Sequence, residues 1–525
     1  MKANARNISL TVIFLLILVV LALLIGKFTF SYLAPDIKDD VEGQGEVTAS
    51  GDTLIFTKGN NLSLKATTDN FNGASSNLTS TTNPSVKLVA SNKTNNATAT
   101  YYAGIKINSN TYKYSTDAKT AEIILTVLDE NGDAVTTSAE DLSYVTVNGV
   151  SGFDITEKVG VFNISVDHPI ATKSSTSGTT HTWTFTLTFI NLETDQSINE
   201  DGSLEMEAIL QKDKIIMPLA DYVKAQYTSQ GANNLYLHDN SLTNGANDGS
   251  YRYAGPSDTT NNFVCFGYDS TDGTCPSDNL YRIIGVFGDE VKLIKYDYAK
   301  STLLGTDGDY YNTYKGMEGS SSYGTNKGQN SKTEIGVYYW NKNTSNNTWS
   351  ESRLNTINLN KNYLNKIDEN GTKWSEKIST HTWKVGGNTW TNIGTQTAPT
   401  AYQNEINKLA TDKTVNAKVG LMYVSDYGYA ASSSSWSTAL NRYNNANVIA
   451  NNWMYMGLYE WTLAPRTDYS NYAFYVLSAG SVSGYGYVYN NNVSTYYAVR
   501  PVLYLKSTVG YAGGSGTISS PILLK

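Results

Sequence analysis

Apolar residues form one long run near the N-terminus, broken only by Ser9 and Thr11, and they are divided into short segments throughout the rest of the chain. The run covers residues 8 to 25 and contains no charged residue. As a helix it spans about 27 Å, close to the roughly 30 Å hydrocarbon core of a bilayer. Lys2 and Arg6 precede the run, although the Lys/Arg asymmetry across it is slight. We therefore expect a single transmembrane signal anchor over residues 8–26, with residues 1–7 in the cytoplasm.

A cleaved secretory signal is the alternative interpretation of this run. Such signals have a shorter apolar region and end in a small-x-small cleavage site. The best candidate here, Tyr32-Leu33-Ala34, places a bulky side chain where a small one is needed. A buried core helix is a third possibility. We favour the uncleaved anchor, followed by a polar and acidic tether over residues 27–47.

Short strand-like segments separated by Gly, Asn, Ser and Thr clusters follow over residues 48–212. Apolar and polar positions alternate most clearly from His181 to Leu192, as a half-buried strand requires. One face carries Trp183, Phe185, Leu187 and Phe189, and the other carries Thr182, Thr184, Thr186 and Thr188. Regularly spaced strands without helical patterns predict an all-β sandwich of Ig-like or jelly-roll type. Its expected role is that of a stalk.

The pattern changes over residues 213–525, where helical and strand periodicities are mixed. Residues 215–223 and 352–367 have apolar residues at helical spacing, whereas residues 280–299 predict a hairpin that turns at Gly288-Asp289. This mixture predicts an α+β domain. The expected fold class is therefore multidomain: an N-terminal transmembrane helix, an all-β sandwich stalk and a C-terminal α+β domain.

Two short motifs give the C-terminal part a family resemblance. Glu460-Trp461 begins one predicted strand, and the sequence AVRPVL from Ala498 to Leu503 begins the last one. This ending resembles the C-type-lectin-like domains that share the architecture of the formylglycine-generating enzyme, as found in many bacterial surface proteins. The resemblance implies structural roles for Trp461 and Arg500, the latter as a buried anchor.

The chain departs from the family in both of its known chemistries. The oxidase branch uses paired cysteines near the C-terminus, but no cysteine follows Cys275. The calcium-binding triplets of the sugar-binding lectins are also absent. The resemblance therefore implies the non-catalytic branch.

Composition favours a surface built from uncharged polar and aromatic groups. Charged residues make up only 16% of the chain, below the usual quarter, while tyrosine occurs 39 times. The formal net charge of −8 comes without a dense basic stripe, which argues against nucleic acid as a partner. The codon bias of an AT-rich genome explains part of this composition equally well.

Tyrosine and asparagine are concentrated between Thr467 and Tyr497, where the resemblance places a binding face that is either diversified or fixed. Tyr, Ser, Gly and Asn together are typical of adaptable binding surfaces. The loop from Tyr310 to Tyr323 is nearly as rich in tyrosine, so a structural role for these side chains stays open. The expected ligand-binding residues are Tyr469, Asn471, Tyr472, Tyr475, Tyr485, Tyr487, Tyr489, Asn490, Asn491, Tyr496 and Tyr497.

The only two cysteines, Cys265 and Cys275, lie on either side of an Asp/Gly/Thr-rich turn. In an extracellular compartment they are expected to form a disulfide. Free thiols are the alternative, and a zinc site would need more thiolate or imidazole ligands than this neighbourhood offers.

Catalytic patterns are absent from the sequence. The four histidines, His168, His181, His238 and His381, lie in different segments, and there is no H-E-x-x-H motif, nucleophile elbow or phosphate-binding glycine loop. His181 is expected to be a hydrogen-bonded residue at the end of a strand. We expect no enzyme activity, no cofactor and no metal site.

The function predicted from the sequence is that of an adhesin-like cell-surface protein. It would be held in the plasma membrane by one span, with its C-terminal bulk outside the cell, and would bind an extracellular protein or glycan. A structural surface or fibre subunit is the alternative, and a cell-surface hydrolase is a third reading.

Overall fold

The computed structural model describes residues 44–49, 52–67, 77–91, 96–140, 142–270, 274–314, 323, 330–342, 346–389, 396–408, 413–488 and 495–525. Strands and short helices build this part of the chain, and strands predominate.

The N-terminal region consists of antiparallel strands. In chain order they are β1 (Gln44–Ala49), β2 (Asp52–Thr57), β3 (Leu62–Lys65), β4 (Leu78–Thr82), β5 (Ser85–Val89), β6 (Ala97–Asn110), β7 (Ile123–Leu128), β8 (Tyr144–Val147), β9 (Val150–Asp154), β10 (Gly160–Thr172), β11 (Thr179–Thr182), β12 (Thr184–Phe189) and β13 (Ser203–Gln211).

These strands form three sheets around one core. The strand orders are β1-β2-β5-β11, β10-β6-β13-β3 and β4-β12-β7-β9-β8. Their inward-facing side chains, including Ile105, Leu125, Phe185 and Leu204, form a single buried apolar cluster. The sheets are sandwich-like, which confirms the β-rich prediction for this region.

The alternation predicted from His181 to Leu192 is present, with one exception. Trp183, Phe185 and Leu187 are buried, whereas Thr184 and Thr186 are partly exposed. Thr188, predicted to face solvent, is buried instead. It pairs with Ile124 of β7, which belongs to a small second apolar cluster on the outer side of this sheet.

The C-terminal region continues with shorter strands. They are β14 (Leu235–Leu237), β15 (Tyr251–Tyr253), β16 (Phe263–Cys265), β17 (Leu280–Phe287), β18 (Glu290–Lys295), β19 (Tyr310–Thr313), β20 (Gly336–Tyr338), β21 (His381–Lys384), β22 (Thr414–Ala417), β23 (Val419–Gly420), β24 (Glu460–Pro465), β25 (Tyr472–Val476), β26 (Val482–Tyr487), β27 (Tyr497–Ala498), β28 (Val502–Leu505), β29 (Tyr511–Gly513) and β30 (Leu523–Leu524).

The helices between these strands are short. The α-helices are α1 (Leu219–Ala225), α2 (Ser301–Leu304), α3 (Leu364–Ile367), α4 (Ala398–Tyr402), α5 (Val424–Tyr429) and α6 (Ala446–Ala450). π-Helical turns cover Leu354–Tyr363 and Gln403–Asn407. Single 3-10 turns cover Ser197–Asn199, Ala232–Asn234, Ser277–Asn279, Trp349–Glu351, Trp374–Lys377, Ser433–Ser435 and Leu440–Arg442.

Two larger sheets organise the C-terminal region. One has the order β14-β15-β17-β18-β28-β23, with β16 also paired to β17, and the other has the order β19-β20-β27-β24-β25-β26. Both contribute to a second large core that is rich in tryptophan and tyrosine. The predicted hairpin is present as β17 and β18, with the turn at Gly288 and Asp289.

The fold class predicted from the sequence is wrong in its helical parts. Among the described residues no helix is both long and apolar enough to cross a membrane, so a class with a transmembrane helix is not supported. The segments named in that prediction, residues 1–7 and 8–26, and residues 27–43 of the tether lie outside the described residues. The C-terminal region, predicted to be α+β, combines two larger sheets with helices that are short throughout its described residues, because the helical spacings that we read there extend over only a few turns.

Side chains from both regions meet where the chain passes from β13 to α1. The amide of Asn163 in β10 accepts a hydrogen bond from the backbone N–H of Ile215 and donates one to its carbonyl, both at 3.0 Å. Lys106 of β6 forms an ion pair with Asp221 of α1 at 2.9 Å. The segment between the two cores is therefore tied to the N-terminal sheets.

Candidate functional site

The predicted binding segment is built on three neighbouring strands at one edge of the six-stranded sheet. β24, β25 and β26 run antiparallel, with Tyr472 of β25 opposite Tyr487 of β26. Ala473, Phe474 and Val476 of β25 are buried and hold the strand on the core. The loop from residue 466 to 471 connects β24 to β25 and carries its polar and aromatic side chains at this edge.

Arg466, the first residue of this loop, lies at the centre of an aromatic cluster. Its guanidinium carbon is 4.7 Å from the ring centre of Tyr469, 5.1 Å from that of Tyr472 and 5.7 Å from that of Tyr485. Cations attract the faces of aromatic rings at such distances. We call the group formed by Arg466, Asp468, Tyr469, Tyr472 and Tyr485 the Arg466 platform.

Asp468 fixes the guanidinium by two charge-assisted hydrogen bonds. Nε of Arg466 donates to Oδ1 at 3.0 Å, and Nη2 donates to Oδ2 at 2.7 Å. Nη1 donates to the carbonyl of Gly484 in β26 at 3.1 Å. A bidentate pair of this kind sets the plane of the guanidinium as well as its position. Arg466 is consequently only 4% exposed, although it belongs to a surface loop.

Two residues outside the loop, Asn347 and Asn388, form hydrogen bonds with its backbone. The side-chain amide of Asn347 lies within 2.7 to 3.0 Å of the carbonyl oxygens of Arg466, Tyr469 and Tyr472. The backbone N–H of Thr467 donates to the carbonyl of Asn388 at 3.0 Å. The tyrosines are thus presented by a backbone that is already ordered before any ligand binds.

The outer rings of the platform face solvent. Tyr469 is 58% exposed and Tyr485 is 54% exposed, the highest values for tyrosine among the described residues. The ring planes of Tyr469 and Tyr472 are nearly perpendicular, as are those of Tyr472 and Tyr485. The rings of Tyr469, Tyr472 and Tyr485 therefore form an aromatic surface in which neighbouring rings are nearly perpendicular. The buried guanidinium of Arg466 lies next to all three rings.

Other predicted binding tyrosines belong to the core. Tyr475 and Tyr497 stack with ring centres 4.5 Å apart, and Tyr497 also contacts Trp461 at 4.5 Å. Burial raises the pKa of Tyr497 well above its ordinary value. These two residues pack the sheet and lie apart from the platform rings.

Tyr496 lies in a second aromatic cluster. Its ring stacks on that of Tyr311 at 3.7 Å, and Tyr339 completes the group at 6.0 Å from Tyr496. Tyr311 is 45% exposed. The loop from Tyr310 to Tyr323, noted for its composition, therefore contributes a neighbour of one predicted binding residue.

The remaining predicted binding residues are placed only in part. Asn471 is half-buried, and its carbonyl accepts a hydrogen bond from the backbone N–H of Val488 at 3.1 Å. Tyr487 lies in β26, where the structure describes only its backbone. Tyr489, Asn490 and Asn491 lie outside the described residues.

Trp461 and Arg500 are both buried. The indole N–H of Trp461 donates to the carbonyl of Tyr338 at 2.8 Å. Arg500 faces Glu460, the first residue of β24. Both residues, for which the resemblance implies structural roles, are thus buried and hydrogen-bonded.

The predicted disulfide is confirmed. Cys265, at the end of β16, is bonded to Cys275 across ten positions of the sequence, with the two Cα atoms 5.8 Å apart. It closes the loop that follows β16, and Gly267 of this loop lines a cleft.

That cleft has a volume of about 250 Å³ and a charged lining. Asp278, Lys295, Lys300 and Lys366 are among its lining residues. Burial lowers the pKa of Lys295 to about 8, and its ammonium donates to the carbonyl of Asp278 at 2.8 Å. None of the predicted binding residues lines this cleft.

No family model, no curated protein and no solved structure matches this chain. The resemblance to C-type-lectin-like domains therefore stays a prediction from two short motifs.

Sequence reasoning identified the platform tyrosines but missed Arg466, Asp468 and Asn347. The sequence RTDY at residues 466–469 carried a usable signal, because an arginine two positions before an aspartate can form a local ion pair. Asn347 carried none, since it is 119 positions from Arg466 and its role arises only from the fold.

Proposed function

We propose that this protein binds an extracellular ligand through the Arg466 platform and acts as an adhesin-like binding protein without catalytic activity. The observation that carries this proposal is the presentation of Tyr469 and Tyr485, each more than half exposed, by a loop whose backbone and central cation are already fixed.

A fixed aromatic surface favours binding for two physical reasons. Tyrosine and arginine are the side chains that most often dominate binding energy at protein surfaces, at about 2 kcal/mol or more for a well-packed anchor. Ordering of the surface before binding removes an entropic cost that a flexible loop would add. The contacts of Asn347 and Asp468 provide that order here.

The charges of the Arg466 platform favour an uncharged ligand. Asp468 neutralises Arg466, so the platform presents ring faces and phenolic hydroxyl groups with little net charge. Sugar rings and the uncharged polar side chains of proteins are complementary to such a surface. The proposal therefore covers an uncharged extracellular glycan or protein segment as the ligand.

The disulfide supports an extracytoplasmic location. Bonds of this kind form and persist in oxidising compartments and are rare in the cytosol. The bond between Cys265 and Cys275 is consistent with a protein that meets its ligand outside the cell.

The test compares the full chain with the double variant Tyr469→Ala, Tyr485→Ala on arrays of glycans and extracellular proteins. The matched control is Tyr268→Ala, which removes another exposed tyrosine, 36% accessible, elsewhere on the molecule. We expect a ligand whose affinity falls at least about tenfold in the double variant and is unchanged in the control. Binding that survives the double substitution, or an absence of binding to any member of either array, contradicts the proposal.

A further inference from the structure

Two of the four histidines of the chain meet in the N-terminal region, far from the platform in sequence. His168, His181 and Glu130 each offer one ligand atom, and these atoms lie within 4.8 Å of one another. With only four histidines among 525 residues, the approach of two imidazoles to one carboxylate is an uncommon arrangement. This arrangement is not visible in the sequence, since the three residues belong to three separate segments.

The fold brings the three segments together by specific local features. His168 follows an irregularity in β10 between residues 165 and 168, and Asp167 has a positive φ of 50°. His181 lies in β11, and Glu130 lies in the turn that follows β7. A regular β10 would give residue 168 a different register, so the bulge places this imidazole in the cluster.

The carboxylate of Glu130 faces both imidazoles. Oε2 lies 3.0 Å from Nε2 of His168, and Oε1 lies 3.8 Å from Nδ1 of His181. The two imidazole rings are 5.9 Å apart. Two neutral imidazoles and one carboxylate are the ligand set of many three-ligand zinc sites.

The spacing suits a metal ion after a small adjustment. Ligand atoms at about 2.1 Å from a tetrahedral zinc ion lie roughly 3.4 Å from one another. One of the distances from Glu130 is already shorter than this value, and no two of the ligand atoms lie more than 4.8 Å apart. The cluster therefore has to contract by about 1.4 Å at most to hold a tetrahedral ion.

A neighbouring polar group orients the imidazole of His168. Its Nδ1 lies 3.2 Å from the hydroxyl of Ser165, which leaves Nε2 to face Glu130. Hydrogen bonds at the second ring nitrogen fix the orientation of metal-ligating histidines in this way. In His181 the nitrogen that faces Glu130, Nδ1, also lies 3.0 Å from the hydroxyl of Tyr101, so an ion bound there would replace this contact. The hydroxyl of Tyr101 would keep the hydrogen bond that it accepts from the indole N–H of Trp183 at 2.7 Å.

The cluster is accessible from outside. The side chains of His168, His181 and Glu130 are 18%, 13% and 17% exposed. An ion can therefore reach the cluster from solvent, while the aromatic rings of Tyr101 and Trp183 cover its inner side.

We propose that Glu130, His168 and His181 form a binding site for a divalent transition-metal ion of the zinc class. The ion would join the turn after β7 to strands β10 and β11 and would keep at least one coordination position for water. Its binding to the folded chain alone would stabilise the N-terminal sheets.

The test measures the binding of Zn²⁺ to the full chain, purified without a polyhistidine tag, by isothermal titration calorimetry. We expect one high-affinity ion per chain and a rise in melting temperature when Zn²⁺ is added. Glu130→Gln keeps the size of the side chain but replaces the charged carboxylate with a neutral amide, so the fold should survive while affinity falls by about a hundredfold or more. His168→Ala and His181→Ala are expected to act in the same direction.

Two further variants separate a site from incidental binding. Ser165→Ala removes only the group that orients His168 and is expected to weaken Zn²⁺ binding by about tenfold or more. His381→Ala removes a histidine that also faces a carboxylate, that of Glu290 at 3.5 Å, but lacks a second imidazole, and should leave binding unchanged. Circular dichroism of each variant checks that the fold is retained.

The proposal is overturned if the full chain binds no Zn²⁺, since the cluster would then be a hydrogen-bonded structural group only. It is equally overturned if folded Glu130→Gln and His168→Ala chains bind Zn²⁺ as tightly as the unaltered chain, or if His381→Ala abolishes binding. Its failure leaves the platform proposal untouched, because the two sites share no residue.

Discussion

Arg500 forms a bidentate ion pair with Glu460, although the two residues are 40 positions apart in the sequence. Nε of Arg500 donates to Oε1 at 2.7 Å, and Nη2 donates to Oε2 at 2.8 Å and to the carbonyl of Met454 at 2.7 Å. Both residues are only 2% exposed. Burial opposes the charge on Arg500, yet the facing carboxylate keeps its pKa above the ordinary value. The pair thus holds the start of β24, and with it the strands that carry the Arg466 platform, to the chain beside β27.

Removal of either partner of this pair should strongly destabilise the protein. Arg500→Met leaves the carboxylate of Glu460 buried without its cation, and such losses cost about 3 to 5 kcal/mol in the free energy of unfolding. Denaturant titration of the full chain measures the change. Lys366→Met is the control, because it breaks an exposed ion pair with Glu369 and should change stability by about 1 kcal/mol or less. Equal effects of the two substitutions would refute a special role for the buried pair.

Glu405 should make stability depend on pH in the acidic to neutral range. Burial raises the pKa of its carboxyl from 4.5 to about 7, even though the backbone N–H groups of Val424 and Ser425 donate to it at 3.1 Å. Between these two pH values the folded chain retains a proton that the unfolded chain has released. The contribution of this group to the free energy of unfolding is therefore greatest below pH 4.5 and declines by up to about 3 kcal/mol as the pH rises to 7.

The variant Glu405→Gln tests this linkage because its side chain does not titrate. The free energy of unfolding, measured at intervals from pH 4.5 to pH 8, should decline less steeply in this variant than in the unaltered chain. Glu369→Gln, at an exposed position, serves as the control and should keep the original slope. Identical slopes for Glu405→Gln and the unaltered chain would show that this carboxyl titrates normally.

Arg466→Lys should loosen the platform without unfolding the protein. Lysine keeps the charge but loses the planar group that pairs with both oxygens of Asp468 and lies near three rings. We expect faster amide hydrogen exchange in residues 466–472 and, for any ligand of the platform, an affinity lower by about tenfold. Exchange elsewhere, for example in β17, provides the internal control. Unchanged exchange in the loop would mean that Asn347 orders it without help from the guanidinium.

Loss of the disulfide should reduce stability by a moderate amount. A bond that closes a loop of this length lowers the entropy of the unfolded chain by an amount equivalent to about 2 to 3 kcal/mol at 25 °C. Comparison of the Cys265→Ser, Cys275→Ser double variant with the oxidised chain by denaturant titration measures this contribution. A reducing agent should lower the stability of the unaltered chain to the level of the double variant and leave the variant unaffected. A loss far below 1 kcal/mol would mean that the folded loop is strained by the bond.

Local patterns in the sequence predicted local features well. The alternation around Phe185 and Leu187 reflects one buried face of a strand, and it needs no knowledge of the partner strands. The disulfide was predictable because its cysteines are close in the sequence and flank a turn. The helical spacings between residues 352 and 367 also produced helical turns, but the surrounding sheet could not be read from them.

Features that depend on distant segments were not predictable in this way. The same tyrosine-rich composition supplies exposed platform rings at Tyr469 and Tyr485 and buried packing at Tyr497, because burial depends on which strand lies opposite. The cluster of Glu130, His168 and His181 forms only because a bulge in β10 brings three separate segments together. Contacts between distant segments produce no periodicity along the chain. The sequence pattern therefore did not indicate Arg466 beside the tyrosine rings, or the approach of His168 to His181.

The hydrogen bonds between the side chain of Asn163 and the backbone of Ile215 have a mechanical consequence. Any tension that a bound ligand exerts on the C-terminal region travels along the backbone toward β13 and reaches residue 215 after it passes the ion pair of Asp221 with Lys106. The two hydrogen bonds between Asn163 and Ile215, both at 3.0 Å, would transmit part of this force to β10, a long strand paired to β6. The force would then be shared by β10 and β13, which belong to the same sheet. The short connection between the two cores would therefore be held in place and would not move as a flexible hinge.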